Sequence, residues 1–398
     1  MRSSHPLRDA NFRKVWAGAA VSLFGDQLYL VALSWLALQL TGSTLILGSI
    51  LMIASIPRAA LMLIGGAVTD RVSPRQIMIT TASARTVLVG AISALAWLHL
   101  LQLWHVYLLA GVFGVADAFA LPASQAYIPS LVKPDQLPAA NAMVQGTMQF
   151  STAVGPAPAG AAVKHWGIPM AFFIDAVSFL FIIAALFAVP DPPPRPSRPK
   201  KHVVHDIIEG LRYVWHDATL RALLLLVAAL NLCITGPVIV GLAAIGKFRM
   251  NSPSAFGILV SCYGTGSFIG RVAGAAKQQR KRGVLLILSN VLLSMWLISV
   301  GLVTAPVAIG AILVVMGVGT GYSNVTFISW FQAKVDRALL GRVLGVIMFA
   351  SFGLIPLSYA LAGAAARISL SAMFIGAGVL ALLATSIAGW SSSLSTID

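Results

Sequence analysis

Charged side chains inside long apolar stretches are the chemical signal from which the function can be inferred. Asp26 lies within an apolar run that starts at Trp16, and Arg58 lies within the next run, which ends at Val68. Charges within a membrane are costly and usually face the interior of a helix bundle. At a rise of about 1.5 Å per residue, both side chains fall near the middle of helices that a short loop joins. We therefore predict that Asp26 and Arg58 form an ion pair.

A pair of this kind can couple transport to protons, because a carboxylate at mid-membrane depth can bind a proton in one conformation and release it in another. The alternative is a permanent structural ion pair. Arg85 and Asp117 fall at similar depths in the third and fourth apolar runs. We interpret them as an intramembrane partner pair whose role is structural, or alternatively part of the transport chemistry. We interpret Asp175, in the sixth run, as structural too.

Composition places the chain in a membrane. Of its 398 residues 58% are hydrophobic and 10% are charged, and the mean hydropathy is +0.88. A water-soluble protein needs a charged surface over its core, so the outer solvent here is lipid. The net charge of +15 would suggest nucleic acid in a soluble protein. Here the basic residues lie in short loops between apolar runs, so we predict the lipid bilayer as a partner and no nucleic acid.

Twelve runs are long enough to cross a bilayer, which takes about 20 apolar residues with an internally bonded backbone. They are Trp16–Leu38, Leu45–Val68, Ile77–Leu101, Trp104–Ala126, Ala139–Val163, Ile168–Val189, Leu220–Ile245, Phe256–Ala276, Gly283–Thr304, Pro306–Phe327, Val343–Ala365 and Leu370–Trp390. The predicted fold class is an all-α membrane protein with 12 transmembrane helices in two pseudo-symmetric six-helix halves.

The distribution of basic residues orients these helices. With the N-terminus in the cytoplasm, most of the 27 Lys and Arg residues fall in cytoplasmic segments. Only Lys164, Lys247, Arg249 and Arg367 fall in the opposite loops. Cytoplasmic loops of membrane proteins carry this excess of positive charge. We therefore predict a multi-pass protein of the cell inner (plasma) membrane with both termini in the cytoplasm.

A proline-rich stretch divides the chain. Residues 190–196 read Pro-Asp-Pro-Pro-Pro-Arg-Pro, which is incompatible with a continuous helix. We predict an N-terminal half over residues 1–189, a cytoplasmic linker over 190–219 and a C-terminal half over 220–398. Apolar residues at helical spacing within the linker predict an amphipathic helix on the cytoplasmic membrane face, or alternatively a solvated linker helix. Lys133 and Asp135 recur as Lys334 and Asp336, which suggests an internal repeat.

Polar residues within the apolar runs are candidates for lining a substrate cavity, and each could equally form a bond between helices. They are Gln27, Tyr29, Gln145, Gln149, Asn231, Asn290, Tyr322 and Asn324. So few polar groups suit an amphipathic or apolar small-molecule substrate better than a sugar. The histidines show no metal-ligand spacing, and the glycine clusters lack the Lys-Ser/Thr of a nucleotide site. We therefore predict no metal, no cofactor, no nucleotide and no enzymatic activity, with transport driven by an ion gradient or by the substrate's own gradient.

The loop after the second run resembles a signature of the major facilitator superfamily. It reads Gly66-Ala-Val-Thr-Asp70-Arg71-Val-Ser-Pro-Arg75, with Ser and Pro where that family has Gly and a basic residue. The resemblance implies a fold of two six-helix halves. It also implies that Gly66, Asp70, Arg71 and Arg75 form a cytoplasmic latch between those halves, through charge and helix-end contacts.

Further stretches resemble the enterobactin-exporter and macrolide-efflux branch of that superfamily. They are Phe24-Gly-Asp-Gln27, Asn141-Ala142 and Glu209-Gly-Leu-Arg-Tyr-Val-Trp-His-Asp217. The run Gly155-Pro156-Ala-Pro-Ala-Gly160 resembles the Gly-Pro signature of antiporters in the superfamily, with Ala159 where Gly is usual. The resemblance implies secondary active transport, and it favours proton-coupled export of drugs or siderophore-like metabolites. The alternatives are a lysophospholipid flippase or metabolite importer on the same scaffold, or a membrane receptor that transports nothing.

Overall fold

The structure, a computed structural model, describes residues 5–69, 72–190, 203–276, 282–335 and 339–390, and within these ranges every regular element is helical. The α-helices are α1 Ala10–Thr41, α2 Thr44–Thr69, α3 Pro74–Trp97, α4 Leu103–Tyr127, α5 Leu137–Val154, α6 Pro156–Phe187, α7 Val203–His216, α8 Ala218–Gly236, α9 Leu242–Ala244, α10 Pro253–Ala276, α11 Arg282–Leu302, α12 Pro306–Lys334, α13 Leu340–Gly353, α14 Ile355–Ile368 and α15 Leu370–Trp390.

Local sequence sets where several helices begin. The Asp9 carboxylate accepts hydrogen bonds from the backbone amides of Asn11 and Phe12 (2.8 and 3.0 Å), which caps the first turn of α1. The Asp217 carboxylate caps α8 in the same way. Such a cap satisfies donors that have no partner within the helix. Proline at the first position begins α3, α6, α10 and α12, where its missing N–H is not needed.

Three of the predicted runs are interrupted rather than straight. The run Ala139–Val163 is divided between α5 and α6 at Gly155, and Val343–Ala365 is divided between α13 and α14 at Leu354. Within α6 the backbone breaks at Gly167, whose φ of 82° is open to glycine but strained for other residues. Between α8 and α10, π-helical turns over Pro237–Gly241 and Ile245–Arg249 flank α9.

Among the described residues, 10 helices are long and apolar enough to cross a membrane. The predicted runs Ala139–Val163 and Phe256–Ala276 are helical, but they are not among these 10 as separate spans. The protein is therefore an integral multi-pass membrane protein built from helices.

The described residues form two compact units. Unit 1 is drawn from Met1–Leu40, Ile53–Lys200 and Ser252–Gly257, and unit 2 from Thr41–Met52, Lys201–Asn251 and Ile258–Asp398. The first turns of α2 thus pack with unit 2, and the first turn of α10 packs with unit 1. The halves predicted from the proline-rich stretch, 1–189 and 220–398, did not include this exchange, in which a short segment of each half belongs to the other unit.

Glycine contacts hold each exchanged segment. In unit 2 a Cβ added to Gly48 would lie 2.9 Å from the Cα of Gly363, and the Thr44 hydroxyl donates to the Gly363 carbonyl (2.9 Å). In unit 1 a Cβ on Gly257 would lie 2.1 Å from the Pro156 carbonyl oxygen and 3.1 Å from the Cα of Gly160. Helices approach this closely in membranes only where side chains are small.

Helix α7 packs one face on unit 2 and exposes another. Val214 is buried in a cluster with residues of α8, α12 and α13. Ile208, Leu211 and Trp215, at helical spacing, are exposed. The linker segment Val203–His216 therefore forms the helix that its periodicity predicts, while residues 191–202 lie outside the described residues.

Candidate functional site

Four charged side chains from four helices meet inside unit 1. Arg85 of α3 contacts the carboxylates of Asp26 (α1) and Asp117 (α4), with its Nη1 3.8 Å from Asp26 Oδ1. Arg58 of α2 lies with its Nη1 3.9 Å from Asp117 Oδ2. We call Asp26, Arg58, Arg85 and Asp117 the charge cluster. The Arg85–Asp117 pair is one of the two predicted from the sequence. Asp26, predicted to pair with Arg58, contacts Arg85, and all four residues form one chain of contacts through Asp117 and Arg85.

Arg85 is the centre of the charge cluster. Its side chain is 8% exposed, and its guanidinium lies over the rings of Phe113 and Phe179, 4.5 and 5.6 Å from their centroids. The electron-rich ring faces attract a cation that has lost its water. Two carboxylates and two rings together offset the cost of burying the guanidinium, so removal of either carboxylate would leave charge uncompensated.

Three of the four residues of the charge cluster line a cavity of about 170 Å³ in unit 1. Asp26, Arg85 and Asp117 face it, together with Gln145 from the predicted lining set. Gln125 and several hydroxyl side chains also line it, and the sequence analysis did not single them out. Polar groups next to buried charges are typical of binding sites that orient a ligand.

Other predicted lining residues of unit 1 serve in packing. Gln27 is buried against Gly155, where an added Cβ would lie 2.5 Å from the Gln27 Cγ. The ring of Tyr29 stacks on Phe113 with centroids 3.8 Å apart. Gln149 is half-buried in α5 and does not line the cavity of unit 1 described above.

Unit 2 contains a larger cavity, of about 570 Å³, whose lining has no charged residue among the described side chains. Asn231, Asn290 and Asn324, all predicted, line it. The amides of Asn231 and Asn290 donate to carbonyls of their own helices, each at 2.9 Å. Most of the remaining wall is aliphatic or aromatic, so this cavity suits an apolar ligand that brings a few hydrogen-bonding groups.

Hydroxyl residues complete the polar lining of the unit 2 cavity. The Tyr263 hydroxyl lies 3.3 Å from Thr320 Oγ1, and Ser323 exchanges a 2.7 Å hydrogen bond with Ser289. These hydroxyl residues were not predicted from the sequence, because serine and threonine within an apolar helix often bond to their own backbone. For Thr320 and Ser323, the available signal was their spacing with Asn324 on α12. Tyr322, which was predicted to line the cavity, packs instead beside Gly270.

The predicted latch loop is described only in part. Arg75 Nε donates to the Leu186 carbonyl at 2.9 Å, which fastens the start of α3 to the end of α6. Gly66 lies within α2. Asp70 and Arg71 lie outside the described residues.

The Gly-Pro motif begins α6. A Cβ on Gly155 would collide with Gln27, Pro156 occupies the first turn, and Gly160 packs on α10 with Ser254 donating to its carbonyl (3.3 Å). The motif therefore provides close backbone contacts on two sides. Its small residues are explained by packing, whatever further role they have.

The same serine bond occurs once in each unit. In unit 1 the Ser151 hydroxyl of α5 donates to the Leu23 carbonyl of α1 at 2.7 Å. In unit 2 the Ser358 hydroxyl of α14 donates to the Leu232 carbonyl of α8 at 2.6 Å. Three residues beyond these carbonyls lie Asp26 and Thr235 respectively, and each lines its unit's cavity. This correspondence supports an internal repeat in which a charged position of one unit is uncharged in the other.

Among the described residues there is no cluster of His, Cys, Asp and Glu that could hold a metal ion. Cys233 and Cys262 are both free thiols within helices of unit 2.

Comparisons with known proteins place this geometry in context. A family model described as Major Facilitator Superfamily matches residues 15–358. Macrolide efflux protein A of Streptococcus pyogenes is 25% identical over 340 residues, which cover 83% of this chain and 83% of that protein. The enterobactin exporter EntS of Shigella boydii serotype 4 is 22% identical over 354 residues, covering 86% of this chain and 81% of that protein.

Among solved structures, a POT family transporter in complex with 5-aminolevulinic acid superposes with a TM-score of 0.79. The superposition covers 98% of this chain and 97% of that one at 12% sequence identity. At this identity the likeness establishes the fold alone.

Proposed function

Because the chain belongs to the major facilitator superfamily of membrane transporters, we propose that it exports amphipathic small molecules in exchange for protons. The observation that carries the proposal is the charge cluster in the unit 1 cavity, where two carboxylates share one buried guanidinium. A carboxylate in that position can exchange Arg85 for a proton or for a polar group of the substrate. Competition of this kind links substrate binding to proton binding.

We propose that the transporter has the architecture predicted from the sequence. We assign twelve spans to two six-helix halves, with α7 and the proline-rich stretch between them and both termini in the cytoplasm. The break at Gly167 supports this count, since it divides the 32-residue α6 into two segments. The paired serine bonds support the division into two related halves. The excess of basic residues in the predicted cytoplasmic segments supports the orientation in an inner membrane.

The direction and the substrate class rest on two supports. The relatives named above are exporters of a macrolide and of enterobactin, both as their names state. The uncharged cavity of unit 2, of about 570 Å³, has room and apolar surface for the hydrophobic part of such a molecule. Ligands of this type gain most of their affinity from burial of apolar surface.

Asp26 is the carboxylate to which we assign proton exchange, with Arg58 as the neighbouring cation. Asp26 lines the cavity, and its Oδ1 lies 3.8 Å from Arg85 Nη1. A carboxylate that faces the cavity is accessible to protons and to substrate. Gly66, Asp70, Arg71 and Arg75 are assigned to the latch on the motif that they match, while the bond from Arg75 to the Leu186 carbonyl lies within unit 1.

The test uses purified protein in proteoliposomes with an imposed pH gradient, and the macrolide erythromycin and enterobactin as probes. Wild-type protein should concentrate at least one probe, and an uncoupler should abolish that accumulation. Asp26→Asn should still equilibrate the probe down its own gradient but should not concentrate it. The matched control is Asp135→Asn, which lies outside the charge cluster and should leave both activities unchanged. Uncoupler-insensitive accumulation, or full activity of Asp26→Asn, would contradict the assignment.

Orientation has its own test. Single cysteines at Ser252 and Lys334 are introduced into protein in which Cys233 and Cys262 are replaced by serine. A membrane-impermeant thiol reagent added to intact spheroplasts should label the cysteine at position 252. The cysteine at position 334 should be labelled only in inverted vesicles. The opposite pattern would reverse the orientation.

A further inference from the structure

Asp175 is a buried acid that the charge cluster does not use. It lies in α6 with 0% of its surface exposed, and neither carboxylate oxygen has a hydrogen-bond partner. The nearby Ser178 hydroxyl has a single proton, which it donates to the Asp175 backbone carbonyl at 2.7 Å. That hydroxyl is therefore not a donor to the carboxyl group.

The space for the Asp175 side chain is provided by a glycine of α1. A Cβ added to Gly25 would lie 2.6 Å from Asp175 Oδ1 and 2.0 Å from Ser178 Oγ. Gly25 immediately precedes Asp26. The glycine that leaves room for the Asp175 side chain therefore also brings Asp175 next to the charge cluster. The contact between α1 and α6 thus joins the two acids.

The charged and titratable groups that act on Asp175 come from two helices. Asp26 and Tyr29 of α1 and Arg85 of α3 are close enough to interact with it electrostatically. Asp26 repels an ionised Asp175, and Arg85 attracts it. The Tyr29 hydroxyl is buried and, like the carboxyl group of Asp175, has no hydrogen-bond partner in the structure. Arg85 has its ion-pair contacts with Asp26 and Asp117.

Charge balance then indicates the form in which Asp175 is held. The charge cluster contains two guanidinium groups and two carboxylates, which neutralise one another. An ionised Asp175 would add an uncompensated negative charge in a fully buried position, where its oxygens accept no hydrogen bond in the structure. A carboxylate in such a place is strongly disfavoured, and a neutral carboxylic acid avoids the cost.

We propose that Asp175 is a proton-binding site of this transporter, occupied by a proton in the conformation described here. When a conformational change admits water or frees Arg85 from one of its carboxylates, the O–H bond of the acid breaks. The proton passes to water, and Arg85 compensates the carboxylate that remains. This inference rests on the proposed exchange of protons for substrate, and it adds to Asp26 a second acid, held behind Gly25.

The first test is infrared spectroscopy of the full-length protein in lipid nanodiscs at neutral pH. Wild-type protein should show the carbonyl stretching band of a protonated carboxylic acid, shifted in deuterium oxide. Asp175→Asn should lack this band, and the matched control Asp135→Asn, which lies outside the charge cluster, should retain it. A wild-type spectrum without the band would overturn the proposal, and this comparison does not depend on whether any variant folds. If Asp175→Asn lost absorption of an ionised carboxylate and kept the acid band, Asp175 would be ionised in wild-type protein, and the proposal would be overturned as well.

The second test is transport of erythromycin in proteoliposomes with an imposed pH gradient. Asparagine has nearly the shape of a neutral aspartic acid, so Asp175→Asn should fold and equilibrate the probe downhill. It should lose most of the gradient-driven accumulation that wild-type protein shows. If wild-type protein concentrates the probe and Asp175→Asn does so equally well, this inference is wrong and the proposed function stands. If wild-type protein shows no coupling to the pH gradient, the proposed function and the coupling role of Asp175 are both overturned.

Discussion

Each unit contains a corresponding serine hydrogen bond, and the two units differ in what surrounds that bond. In each, a serine hydroxyl ties a helix to a main-chain carbonyl, and the residue three positions further lines the cavity. In unit 1 that residue is Asp26, within a charge cluster and a cavity of about 170 Å³. In unit 2 it is Thr235, in an uncharged cavity of about 570 Å³.

This difference suggests that one backbone arrangement has been adapted to two tasks. Buried charges need partners at fixed distances, so a cavity lined with them is small and tolerates few changes. An uncharged wall imposes no such geometry, so it can be wider and can accept ligands of varied shape. We infer that unit 1 provides the energy coupling of the transporter and that unit 2 provides breadth of substrate. The following predictions test that division.

Removing the centre of the charge cluster should have the largest effect. Arg85→Ala removes the cation that Asp26 and Asp117 share. The two aspartate side chains are only 29% and 28% exposed, respectively, so water compensates little for the loss. Breaking a buried ion pair in this way costs about 3–5 kcal/mol. We expect loss of gradient-driven efflux and a large fall in the thermal unfolding midpoint, measured by fluorescence-detected size exclusion. The control is Arg367→Ala, an exposed residue of unit 2, and an equal fall in the control would refute the special role of Arg85.

Introducing a charge into the cavity of unit 2 should have the next largest effect. Asn290 is 5% exposed and donates to the Leu286 carbonyl at 2.9 Å. Asn290→Asp keeps the size, loses that donor and places a carboxylate in an uncharged wall, at a cost of about 1–3 kcal/mol or more. We expect weaker binding of erythromycin, measured by fluorescence polarisation with a labelled analogue.

Position 299 provides the control for Asn290→Asp. Ser299 is half-buried near the end of the same helix and does not line the cavity, so Ser299→Asp should leave affinity unchanged. Unaltered affinity in Asn290→Asp would mean that unit 2 tolerates charge as unit 1 does, and the proposed division would fail.

A methyl group added at a glycine contact should have a moderate effect in either unit. A Cβ at Gly257 would lie 2.1 Å from the Pro156 carbonyl oxygen, and one at Gly363 would lie 2.7 Å from the Thr44 carbonyl oxygen. Overpacking of this kind typically costs about 1–3 kcal/mol. We expect Gly257→Ala and Gly363→Ala each to lower the thermal midpoint, with the Gly257 variant more affected.

Each unit offers a matched control for the alanine substitutions. A Cβ at Gly146 or at Gly376 would meet nothing within 4 Å, and alanine favours helix over glycine. Gly146→Ala and Gly376→Ala should therefore leave the midpoint unchanged or slightly raised. A fall equal to that of the contact variants would show that the glycine contacts are not the cause.

Deleting the serine hydroxyls should have the smallest effect. A buried hydrogen bond contributes about 1 kcal/mol net, so Ser151→Ala and Ser358→Ala should each lower the midpoint by a few degrees. The Ser358 variant should lose more, because Ser358 Oγ also accepts from the Gly236 amide at 2.8 Å. The reverse order, in calorimetry of the two variants, would contradict the stabilising role assigned to the second hydrogen bond of Ser358.

The sequence predicted an all-helical membrane protein of this family, and it also drew attention to the four residues of the charge cluster, for physical reasons. Apolar runs of membrane length leave little choice but helix, and the family resemblance is confirmed by the match over residues 15–358. The four charges of the cluster stand out because few charged residues interrupt those runs. The Arg85–Asp117 pair was predicted and is present, whereas the contact of Arg85 with Asp26 was not predicted, since the rotation of each helix about its axis decides that Arg85 reaches both carboxylates.

Other features were beyond the sequence for different reasons. The breaks at Gly155 and Leu354 depend on tertiary contacts that hydropathy does not record. The hydroxyl lining of the unit 2 cavity could not be separated from ordinary packing. The isolation of Asp175 became visible only when the side chains of α1 and α3 were in place around it.

The glycine contacts at Gly48–Gly363 and Gly160–Gly257 bring main chain against main chain, with no long side chain between. Surfaces joined in this way lose no rotamer freedom when they meet and must rearrange no side chain when they part. Dispersion over a short length holds them, together with the hydrogen bonds that Thr44 and Ser254 donate. Because glycine has no side chain to trap in a wrong rotamer, contacts of this kind have only one way to close.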